Sequence, residues 1–120
     1  MSDDWHSIGL KDLERIIAEE LAKATPEEKA LFCRTAVPPS KWQLSPWGDE
    51  GGGFWVVAAL DDRVLWFNDI EDGFNISRFT SPGQIPSTEY FCNQDELPLA
   101  IRLLASDSHG TSGPLVSDDT

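Results

Sequence analysis

Basic residues are scarce in this chain: 9 Lys and Arg stand against 21 Asp and Glu in 120 residues, a formal net charge of −12. Nucleic acids are held through their phosphates by Lys and Arg, so a nucleic-acid ligand is not expected. An anionic membrane surface is disfavoured for the same reason. Histidine is rarer still. His6 and His109 both lie near the ends of the chain, where a general base would lack a fixed position. Cysteine is limited to Cys33 and Cys92, with no Cys/His spacing for zinc. One falls in a helical segment and one just before a helix, and they read as buried, reduced thiols. Long apolar runs are missing. The run Phe54–Leu60 is far short of the roughly 18 residues that a membrane helix needs. The opening residues MSDDWHSIGL are acidic and contain no apolar core of a signal peptide, which makes the cytoplasm the default compartment. What remains is a surplus of acid, which can serve solubility or can steer a basic protein partner.

The length fits one domain with a core of its own. The expected domain spans residues 1–105, and the Ser, Gly and Asp-rich stretch 106–120 reads as a disordered tail. Residues 10–24 place Leu10, Leu13, Ile17 and Leu21 on one stripe of an amphipathic helix. Thr25, Pro26 and Glu28 then form the signature of a capped helix start. Pro38 and Pro39 stop that helix near Ala36, with Leu31, Phe32 and Cys33 expected inside. Residues 41–47 suggest an edge strand ended by Pro46. Phe54–Leu60 and Arg63–Asn68 flank Asp61-Asp62 as a β-hairpin. Phe74–Phe79 is a further strand, and a last helix is expected from about Gln94 to Ala105 with Asp95 as its cap. The order α-α-β-β-β-β-α, joined by short turns, predicts an α+β fold: an N-terminal helical hairpin, an antiparallel sheet of about four strands with helices on one face, and a C-terminal helix.

If Leu60 pairs with Arg63, a regular hairpin puts Val57 opposite Trp66. One face then carries Phe54, Val56, Ala58, Leu65 and Phe67, and the other Trp55, Val57, Ala59, Val64 and Trp66. Both faces are apolar, and helices cover only one. Trp42, Trp47, the segment 80–91 and the N-terminus with Trp5 could cover the second. Left open, it would be an interaction patch, with Trp55 and Trp66 as the buried anchors of an interface. Asp49, Glu50, Asp61, Asp62, Asp69, Glu71 and Asp72 lie at strand ends or turns around it and would form an acidic rim suited to a basic protein.

Other chemistry fits poorly. The run Gly51–Gly53 is followed by Phe-Trp-Val and a strand, not by the Gly-Lys-Ser/Thr and helix of a phosphate loop, and Asp49 and Glu50 would repel phosphate. It reads instead as a turn where side chains would clash on the way into a crowded strand. Counted from Asn68, an EF-hand loop would need ligands at Ile70 and Phe79, which rules that motif out. An irregular Ca²⁺ site at Asp69, Glu71 and Asp72 and a solvated acidic turn both remain open. No catalytic residue, metal ligand or cofactor site stands out. The sequence therefore predicts a non-enzymatic protein-binding module, with a small-molecule or Ca²⁺-binding domain built on the acidic Gly-rich turns as the alternative.

Residues GDEGGGFWVVAALDDRVLWFNDIEDGFN, followed by EYFCNQDEL, resemble a small family of acidic bacterial proteins. More loosely, they are similar to the immunity proteins of bacterial toxin systems. The likeness covers residues 47–104. One class of immunity proteins shares a comparable acid-glycine turn entering a sheet, with a different arrangement of helices. The resemblance implies neutralisation of a toxin in the cytoplasm and transfers no catalytic residue; the acidic charge of the chain makes a basic toxin the expected target.

Overall fold

The computed structural model describes residues 8–45, 47 and 52–107. Trp5, His6, Asp49, Glu50, His109 and the segment 108–120 lie outside the described residues. The fold is α+β. Helices α1 (Leu10–Ala22) and α2 (Pro26–Thr35) precede four strands, β1 (Ala36–Trp42), β2 (Phe54–Leu60), β3 (Arg63–Asn68) and β4 (Gly73–Arg78). Helix α3 (Leu97–Asp107) is the last of the described elements and ends two residues beyond the helix end expected at Ala105. The strands form one antiparallel sheet in the order β1-β2-β3-β4.

Helix α2 begins as its sequence requires. The Thr25 amide donates to Glu28 Oε1 at 2.8 Å, and the Glu28 amide donates to Thr25 Oγ1 at 3.1 Å. This satisfies two donors that a helix start leaves open. Glu28 also meets Arg102 of α3 at 2.8 Å, tying the two helices together. These contacts hold the Glu28 carboxyl below its ordinary value of 4.5. The Thr25 amide acts first, then the Thr25 hydroxyl and the Arg102 charge, against a desolvation that works the other way. Folding lowers this pKa, so the stabilisation is complete at neutral pH and drains away as pH falls below 4.5. The stability difference between wild type and Glu28→Gln is therefore expected at pH 7 and should vanish on acidification. Urea unfolding across that range checks it, and a pH-independent difference would contradict the assignment.

The first edge strand lies earlier than its sequence suggests, at 36–42 instead of 41–47. Proline has no amide to give a sheet, which confines it to edges and irregular pairings. Pro38 and Pro39 sit in such a place: β1 is an edge strand, and its register with β2 shifts between Ala36 and Ser40. The prolines end α2 yet are compatible with the extended chain that follows. Helix α3 starts at Leu97, not Gln94, because residue 95 is held by the sheet: the Phe74 amide donates to the Asp95 carbonyl at 2.9 Å.

The hairpin bounds agree with the sequence, but its faces do not. Leu60 pairs with Arg63 and Ala58 with Leu65, after which the register slips so that Val56 pairs with Trp66 and Trp55 with Phe67. Val57 is the extra residue of a β-bulge, and one extra residue turns the rest of the strand over. Trp55 and Trp66 consequently lie on opposite faces. Trp55, Val57, Ala58, Leu65 and Phe67 turn toward Leu13, Phe32, Leu97, Ile101 and Leu104 of the helices. Phe54, Val56, Val64 and Trp66 form a second core with Leu44 and Ile85, flanked by Trp42, Phe79 and Tyr90. The face without helices is thus covered by the chain on either side of the sheet, including Trp42 and residues of the 80–91 segment.

One sheet edge is blunted and the other is engaged by the chain. Prolines blunt β1. Along β4, Asn75 exchanges hydrogen bonds with the backbone of Asn93 at 2.9 and 3.1 Å, and Glu89 accepts from the Arg78 amide and the Ser77 hydroxyl. Edges closed in this way do not template strand addition.

The cysteines depart from expectation. Both are free and exposed. Cys33 is one step around α2 from the buried Phe32, a rotation of about 100° that brings it to the surface. Cys92 belongs to the segment beside β4, outside both cores. Both thiols are expected to react with an aromatic disulfide reagent in the native protein, within minutes and without denaturant. Reaction only after unfolding would contradict their placement.

Candidate functional site

A cleft of about 570 Å³ with a consistent chemistry lies at one end of the sheet. Three elements build it. Helix α1 contributes Ile16, Glu19 and Glu20; the turn between β3 and β4 contributes Glu71, Asp72 and Gly73; the approach to α3 contributes Gln94, Asp95 and Glu96. Phe67 and Phe74 close its base, their rings 5.0 Å apart and inclined by 55°. Six carboxylates thus surround a small apolar floor.

The six are not equivalent. Glu20 is committed to structure: one oxygen accepts from the Leu97 amide at 3.0 Å and so caps α3 from a neighbouring helix, while the other meets Lys23 at 2.9 Å. That hydrogen bond, and next the Glu20 charge, raises the Lys23 ammonium above its ordinary value. Lys23 also approaches Glu96 at 3.8 Å, and Arg15 approaches Glu19 at 3.4 Å. Among the described residues, no basic side chain forms an ion pair with Glu71, Asp72 or Asp95. These three carry the negative field of the cleft.

Asn68 shapes the acidic turn. It is fully buried at the end of β3. Its Oδ1 accepts from the amides of Ile70 and Glu71 at 3.0 and 3.2 Å, and its Nδ2 donates to the Tyr90 hydroxyl and the Phe91 carbonyl. Asparagine suits such a turn because its side chain imitates a backbone turn. Asp72 follows with φ of 59°, a left-handed conformation that Asp and Asn tolerate better than most side chains.

Of the residues singled out in the sequence, Glu71 and Asp72 line the cleft. Asp69 lies beside them but points elsewhere, accepting from the Ile8 amide at 2.9 Å. Trp55 is half-buried, and its indole donates to the Ile8 carbonyl at 2.9 Å. The notion of Trp55 and Trp66 as neighbouring surface anchors is corrected here: the bulge separates them, and Trp66 is 0% exposed. Glu19, Glu20, Asp95 and Glu96 are not among the candidate site residues of the sequence, where Asp95 figures only as a helix cap. Only tertiary packing brings them to the turn, so no local signal marks them. Among the described residues, no three His, Cys, Asp or Glu side chains are placed to hold a metal ion.

The chain is thus a small α+β domain with an acidic cleft at one sheet end. No helix among the described residues is long and apolar enough to cross a membrane. No family model, curated protein or solved structure matches it.

Proposed function

We propose that this protein is a non-enzymatic binding module for a basic protein, and that the cleft between α1, the β3–β4 turn and the approach to α3 receives that partner. The observation that carries this reading is the trio Glu71, Asp72 and Asp95, unpaired by basic side chains of the described residues and set above Phe67 and Phe74. A lysine or arginine side chain has the matching form, with an apolar stem and a cationic head. The net charge of −12 extends the attraction beyond the cleft and favours rapid encounter. In its specific form, the module is an immunity-type inhibitor that covers a cationic surface of a bacterial toxin in the cytoplasm. That form rests on the resemblance of residues 47–104 to immunity proteins.

Affinity capture from the cells that make the protein tests the reading. The bait is expected to retain basic proteins at low salt and release them as salt rises. A bait carrying Glu71→Gln, Asp72→Asn and Asp95→Asn should retain much less of them and release them at lower salt; Asn is chosen at 72 because it accepts the left-handed backbone. Retention of acidic proteins only, or equal capture by both baits, would overturn the proposal.

A further inference from the structure

We draw no further inference here: the strongest candidate, the exposed apolar patch formed by Phe91, Leu99 and Leu103 beside strand β4, is left by the fold with nothing in the structure to show what covers it.

Discussion

Trp66→Ala is expected to lower the unfolding free energy by about 4 kcal/mol, the usual range for removing a large buried aromatic. The ring is wholly enclosed, with Phe54 at 4.8 Å and Tyr90 at 6.0 Å between centroids. Its indole donates to the Ser77 hydroxyl at 2.8 Å, and that hydroxyl donates to the Glu89 carbonyl at 2.6 Å. The substitution therefore opens a cavity in the second core and cuts the chain of bonds that fastens residue 89 to β4. Trp66→Phe should fall between the two, since it keeps part of the ring volume and loses the hydrogen bond. Urea unfolding measures both. A loss below about 1 kcal/mol for the alanine variant is what a surface tryptophan would give, and it would contradict the enclosure of Trp66 in the second core.

The second large effect is expected at Gly73→Ala. A Cβ at this position would collide with the Gln94 Cα and the Asn93 carbonyl oxygen, both backbone atoms. No rotamer change relieves such a contact, so the segment beside β4 must move. Overpacking of this kind costs roughly 3 kcal/mol. The bond from the Phe74 amide to the Asp95 carbonyl lies next to the collision and should break first. Hydrogen exchange at Phe74 is the direct readout, with protection expected to fall by more than at the amides of β2. Asp72→Gly is the control: it relieves a positive φ one residue away and should leave stability unchanged or raise it. A neutral Gly73→Ala would contradict the close packing of the turn on the approach to α3, and with it the wall of the cleft.

Local chemistry made much of this fold readable. Thr25, Pro26 and Glu28 announce the start of α2 because the cap is a contact between residues three apart. Asp61-Asp62 between two β-rich runs gives the hairpin its bounds, and Asp61 accepts a φ of 57° there. The reading of Gly51–Gly53 holds in part: a side chain at Gly53 would strike the Trp42 carbonyl, Gly52 has a φ of 80° but meets no such clash, and Gly51 lies outside the described residues. The faces of the sheet were another matter. A single extra residue, Val57, reverses the inward and outward sense of Trp55, and periodicity carries no mark of where a bulge will fall. Two prolines that correctly end a helix also conceal the strand that follows. Of the cleft, only its turn was legible: Glu71 and Asp72 are neighbours of Gly73, whereas Glu19 and Asp95 arrive from far along the chain.

The partner is expected at the cleft and not at the half-buried Trp55. Titration calorimetry with a basic protein recovered by the capture experiment tests it most directly, comparing wild type, the Glu71→Gln/Asp72→Asn/Asp95→Asn variant and Trp55→Phe. Neutralising the cleft is expected to weaken binding at least tenfold, about 1.4 kcal/mol, and to flatten its dependence on salt. Trp55→Phe should bind within about twofold of wild type, a change of roughly 0.4 kcal/mol. The reverse pattern, with binding kept by the neutral cleft and lost with Trp55, would contradict the account.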